Sequence, residues 1–167
     1  MNRTLLAAAA AATLMFTSSA GAQEDALVSF EVLSPDLASE LARETLTACR
    51  ERDFQVAVAV VDRFGNPQVM LRDRYAGAHT PDTATRKAWT AVSFRSNTTD
   101  LVELTAPGTP QAGARDIKGA LMLGGGVLIE VQGRLVGAIG VSGAPSGDDD
   151  DACAFAGLEA IEPQLPF

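Results

Sequence analysis

The chain has 167 residues, 47% of them hydrophobic, with 13 basic and 21 acidic side chains and a formal net charge of −8. That length holds one domain whose core needs neither a disulfide framework nor a structural metal. The acidic balance, with Lys87 and Lys118 the only lysines, disfavours nucleic acid as a partner.

Asn2 and Arg3 precede an apolar run from Leu5 to Phe16, and Ala20-Gly21-Ala22 has the small-residue spacing of a signal-peptidase site. Residues 1–22 therefore read as a signal peptide and residues 23–167 as the mature domain, periplasmic or secreted after cleavage near Ala22. The apolar run is shorter than the roughly 20 residues of a spanning helix. Loss of Arg3 leaves the mature domain more acidic still. Glu130, Gln132 and Arg134 interrupt the glycine-rich region from Leu121 to Val141, so no stable membrane insertion is expected.

Ser34-Pro35-Asp36 opens the first helix with a capping hydroxyl, a proline and an acid at the positive helix end, and the stripe Leu37, Leu41, Thr45, Ala48, Cys49 carries it to about Arg52. Val56 to Val61 is a continuous β-favouring run. After Arg63-Phe64-Gly65-Asn66 the chain is extended again from Gln68 to Leu71, which predicts a hairpin. Thr80-Pro81-Asp82 starts a second helix reaching about Phe94, and its face of Ala84, Ala88, Ala91 and Val92 implies close backbone packing. A short helix follows from Asp100 to Leu104, then a loop marked by Pro107, Gly108, Pro110 and Gly113. Leu121–Leu123, Val127–Val131 and Arg134–Ser142 read as three strands, the last two a hairpin across Gln132-Gly133. A final helix runs from the acids Asp148 to Asp151 to about Ile161, the acids read as a cap on a solvated helix end. The order α-β-β-α-α-β-β-β-α predicts an α/β (α+β) fold, an antiparallel five-stranded sheet flanked by helices.

Cys49 and Cys153 lie on the first and last helices. Two buried thiols are the favoured reading, and a disulfide stapling the terminal helices in an oxidising compartment is the alternative. Neither forms a C-x-x-C motif, which excludes thioredoxin-like chemistry and covalent c-type haem attachment. His79 is the only histidine. No G-x-S-x-G elbow accompanies it, and one histidine with two distant cysteines does not make a zinc site. A single imidazole does suffice as axial ligand to a haem iron, since the macrocycle supplies the other four donors. Spacing alone favours a loop histidine bonded to backbone. Gly124-Gly125-Gly126 lacks the lysine and following helix of a phosphate loop and reads as a glycine bulge beside a pocket. Arg72, Asp73, Arg74 and Tyr75 form the densest cluster of functional groups near His79.

Five ordered motifs carry a family resemblance: Val58-Ala59-Val60-Val61-Asp62 with Gly65, His79-Thr80 before Arg86-Lys87-Ala88-Trp89, Gly124-Gly125-Gly126-Val127, Gly137-Ala138-Ile139-Gly140-Val141-Ser142-Gly143, and Asp150 before Cys153-Ala154-Phe155-Ala156-Gly157. From about Leu37 to Ile161 the chain resembles the GlcG/HbpS-like (DUF336, haem-degrading domain) family. The resemblance implies a profilin-like fold and homo-oligomers. It points to tetrapyrroles, because some members are extracellular haem binders linked to redox sensing and a related domain closes certain corrinoid adenosyltransferases. It places pocket residues at His79, Thr80, Lys87 and Gly124, Gly125 and Gly126. This chain departs from the family pattern at Leu128, where proline commonly stands, and at Arg74-Tyr75, where a glycine is frequent.

The leading expectation is an exported haem (tetrapyrrole)-binding protein, in haem handling or redox sensing, more a binding protein than an enzyme. His79 would ligate the iron, and Arg72 or Arg74 would meet the propionates. The rivals are a small periplasmic enzyme acting on an organic acid, with His79 as general base and Arg72 or Lys87 holding the carboxylate, and a non-catalytic structural oligomer.

Overall fold

The computed structural model describes residues 27–166; the expected signal peptide and its cleavage site lie outside them. Helix α1 spans Pro35–Arg50, strands β1 and β2 Ala57–Asp62 and Pro67–Arg72, helices α2 and α3 Thr80–Phe94 and Thr98–Leu104, strands β3 and β4 Gly126–Val131 and Arg134–Ser142, and helix α4 Gly147–Ile161. Short 3-10 turns lie at Ala112–Asp116 and Glu162–Gln164. The strands form one antiparallel sheet in the order β2-β1-β4-β3.

The alternation along β1 explains the layers. Val58 and Val60 face α1 and α4, where they join Leu41, Leu46, Ile129, Ile139, Val141 and Ile161 in the main core. Ala57, Ala59 and Val61 face the other way, against Ala84, Ala88 and Ala91 of α2. A central strand covered on both faces reads as an unbroken apolar run, as β1 does. Asp62 closes the β1–β2 hairpin, its Oδ1 accepting from the N–H groups of Phe64 and Asn66 at 2.8 and 2.9 Å. On the α2 side the contact is close because it is made of small residues. A Cβ at Gly140 would lie 2.0 Å from the Ala84 carbonyl oxygen.

Two sequence expectations change. Among the described residues the sheet has four strands rather than five, because Leu121–Leu123 is not a strand. This segment crosses the flank of α2, where the Leu121 N–H donates to Thr90 Oγ1 (2.9 Å) and Met122 packs with Leu101 and Ala120. The N–H groups of Leu121 and Leu123 thus find partners outside any ladder, the latter in Leu121 O. The second change concerns the cysteines: Cys49 and Cys153 form a disulfide, Cα atoms 5.3 Å apart, fully buried between α1 and α4. The two helices pack side by side, and Gly157 presses against Thr45 beside the bond. Spacing 104 residues apart gave no sign of this proximity. Among the described residues no helix is long and apolar enough to cross a membrane.

Candidate functional site

The N-terminal ends of α2 and α4 converge on one side of a cavity of about 510 Å³ that opens to solvent. His79 precedes the first turn of α2 with an exposed ring that makes no hydrogen bond among the described residues. The ring lies against Gly77, where a Cβ would come within 2.7 Å of His79 Cε1, so a larger residue there would displace the ring from this position. Thr80 is the first helical residue, buried, and its hydroxyl donates to Gly77 O (2.8 Å) while Thr83 Oγ1 donates to His79 O (3.0 Å). These bonds fix the backbone that carries the imidazole.

The cavity floor is charged. Lys87, two turns into α2, is 1% exposed, and its Nζ donates to Asp150 Oδ2 at 2.7 Å and to Val141 O at 2.9 Å. Asp150 Oδ1 accepts from the Ala144 N–H at 3.0 Å. Burial pushes the Asp150 carboxyl above its ordinary value, against the opposing pull of the Lys87 charge and the hydrogen bonds from Lys87 and Ala144. Burial also raises Asp151, against hydrogen bonds from Thr99 and the Gly125 N–H, the latter at 2.8 Å. The acidic run is therefore not simply a solvated cap. Asp148 and Asp149 sit at the exposed helix start, where Ser146 Oγ accepts from the Asp149 N–H (3.1 Å), whereas Asp150 and Asp151 turn inward and tie α4 to α2 and to the glycine turn.

The site residues expected from sequence separate into three groups. His79, Thr80 and Lys87 line the one cavity. Gly124, Gly125 and Gly126 stand behind its floor rather than on its surface. Gly125 holds φ +112°, and a Cβ at Gly126 would meet the Lys87 carbonyl oxygen at 2.5 Å. Arg72 and Arg74 line a different cavity with Arg50, Gln55 and Asp73. There Arg72 donates to Ala76 O, Arg50 Nε to Asp73 Oδ1 (2.9 Å), and the Arg74 guanidinium sits 5.6 Å from the Tyr75 ring centre.

Residues missed in the sequence are Thr83, Arg86, Leu121, Leu123 and Asp150, all on the His79 cavity. Thr80, Thr83 and Lys87 recur at helical spacing on one face of α2, a signal that would have found Thr83. Arg86 extends along the rim, donating to Gly119 O (3.3 Å) and Ala120 O (3.0 Å). Nothing local marks Asp150, which meets Lys87 across 63 residues. Among the described residues no group of three or more His, Cys, Asp or Glu side chains is placed to hold a metal ion by itself.

The fold and site define a small α+β domain with a polar cavity between two helix N-termini. The chain belongs to the haem degrading protein HbpS-like family, whose sequence pattern matches residues 33–159. The crystal structure of HbpS is similar, at 39% identity and a TM-score of 0.76, over 81% of this chain and 94% of that one. A crystal structure of a PduOC:heme complex is similar at 29% identity and a TM-score of 0.73, over 78% of this chain and 95% of that one. The corrinoid adenosyltransferase PduO of Salmonella typhimurium is 30% identical over 114 residues, 67% of this chain. That match spans only 34% of PduO, so this chain corresponds to about a third of that enzyme.

Proposed function

We propose that this protein binds haem, or a closely related tetrapyrrole, non-covalently in the His79 cavity. The observation that carries the reading is a lone histidine whose exposed ring, free of hydrogen bonds among the described residues, stands at the mouth of a cavity of about 510 Å³. That volume lies within the range of small-molecule sites. The residues present fit the group. His79 offers a nitrogen to an iron, Leu121 and Leu123 offer an apolar wall to a macrocycle, and the rim Arg86, held by Gly119 O and Ala120 O through Nε and Nη2, offers its Nη1 edge beside Asp82 to a propionate. Bound haem would supply a redox-active iron. The propionate role first given to Arg72 and Arg74 passes to Arg86, since those two arginines line the other cavity. The family's haem-degrading name and the heme-bound PduOC relative support the same ligand class. An organic-acid enzyme has less support, because Lys87 is already held by Asp150 and Arg72 lies elsewhere.

The test compares haemin binding to the wild type and to His79→Ala. The substitution removes an exposed side chain and leaves the fold intact. It is expected to shift the Soret band and weaken binding about tenfold or more. Equal spectra and affinities would remove His79 as the iron ligand.

The same reading places the mature protein in the periplasm or outside the cell as a homo-oligomer. The signal-peptide pattern and a disulfide suited to an oxidising compartment support export. Exposed Phe30, Phe64 and Phe155 are apolar surface for self-association. Intact mass of the exported protein is expected to begin at or near Gln23, with light scattering reporting a multiple of the chain mass. Retention of residues 1–22, or a monomer at micromolar concentration, contradicts the respective part.

A further inference from the structure

Lys87 and Asp150 are the two ends of a buried ion pair, 1% and 3% exposed, and each also holds backbone of the cavity wall. Nζ of Lys87 binds the carbonyl of Val141 at the end of β4, and Oδ1 of Asp150 binds the N–H of Ala144 in the loop that leads to α4. Val141 in turn donates to Gly125 O at 2.8 Å. One pair of charges thus joins α2, the end of β4, the Gly143–Gly147 segment and α4 around a single cavity.

Stability gives a poor account of such a pair. Removing both ions from water costs several kcal/mol each, and well-packed apolar side chains of similar volume are often as stable or more so. What an apolar pair lacks is an acceptor for the Ala144 N–H and a donor for the Val141 carbonyl. Gly143, Ala144, Pro145 and Gly147 form the wall that shares the cavity with His79, and Gly143 and Pro145 are exposed. The wall is otherwise held by Ala144 packing on the main core, by Ser146 capping α4, and by Gly143 and Gly147 seated close to Gln55–Val56 and Gly124, and none of these meets the Ala144 N–H or the Val141 carbonyl.

We infer that Lys87 and Asp150 are positioning residues, a clamp that holds the Gly143–Gly147 wall in the shape that accepts the ligand. The inference rests on the ligand site proposed above. The clamp touches the wall rather than the iron. Breaking it changes affinity while leaving the His79 ligation intact.

Amide hydrogen exchange and haemin titration of the charge-free double variant Lys87→Met/Asp150→Ala test this. A second charge-free pair, Lys87→Met/Asp150→Leu, which fills more of the vacated volume, serves in case the first double variant does not fold. Expected is a local acceleration of exchange by about tenfold at residues 143–147, with sheet amides unchanged, and a loss of haemin affinity of about tenfold. The Soret position of the saturated complex stays at the wild-type value, because His79 still ligates, and a shifted band overturns the inference; a general packing defect speeds exchange in the sheet as well. Val131→Ala, a core substitution at the far end of β3, is the control and leaves exchange at 143–147 as in the wild type. Wild-type exchange at 143–147 in the clamp variants overturns the inference, as does undiminished haemin affinity. If the wild type itself does not bind haemin, the haem reading fails by that result alone, and the exchange measurement still decides whether the pair holds the wall.

Discussion

Replacing both Cys49 and Cys153 by alanine is expected to destabilise the protein by about 4 kcal/mol, a large share of the roughly 5–15 kcal/mol of an ordinary domain. The bond closes a loop of 104 residues, and cross-linking so long a loop removes much of the unfolded chain's freedom. Both sulfurs are fully buried between α1 and α4, so the loss of packing adds to the entropic effect. Urea unfolding should show the midpoint falling and the slope rising, because an uncrosslinked chain exposes more surface when unfolded. The melting temperature should fall by about 10 °C for a domain of this size. Wild type treated with reductant in the unfolded state should refold to the same lowered midpoint. A midpoint that does not move would mean that the α1–α4 bond does not constrain the chain.

Gly140→Ala is expected to cost about 3 kcal/mol or more, through overpacking against backbone that no rotamer change can relieve. The added Cβ would lie 2.0 Å from the Ala84 carbonyl oxygen and 2.8 Å from the Ala88 nitrogen, so α2 has to lift from β4. Lys87 rides on the same helix beside this contact, and the cavity floor is expected to shift with it. Gly113→Ala, where an added Cβ meets nothing within 4 Å and the backbone angle is ordinary, should be nearly neutral. Thermal melts of the two variants decide the matter. Equal stability would contradict the close seating of α2 on the sheet.

That seating was legible in the sequence from one side only. Ala84, Ala88 and Ala91 at helical spacing predict close packing of α2, and the helix runs from Thr80 to Phe94 as read. The unbroken Val56–Val61 run gives a strand buried on both faces. Leu121–Leu123 misleads because three apolar residues before a glycine run look alike whether they enter a ladder or cross a helix flank. Here the side-chain hydroxyl of Thr90 takes the backbone N–H that a strand would have used.

The site was less legible than the fold, for a physical reason. His79, Thr80 and Lys87 lie on α2 or just before it, and they line one cavity. Asp150 and the disulfide join segments distant in the chain, and a run of four acids hides which of them turn inward. Arg72 and Arg74, close to His79 in sequence, are drawn into a separate cavity by Ala76 O, the Tyr75 ring and the Asp73 neighbourhood. Nearness along the chain was the wrong guide to nearness in space.

Titration of the mature wild-type protein with haemin, followed in the Soret region, tests the central claim most directly. The account predicts a saturable spectral shift at one haemin for each His79 cavity, with a band position that depends on His79. Absence of any saturable shift at micromolar protein would contradict it.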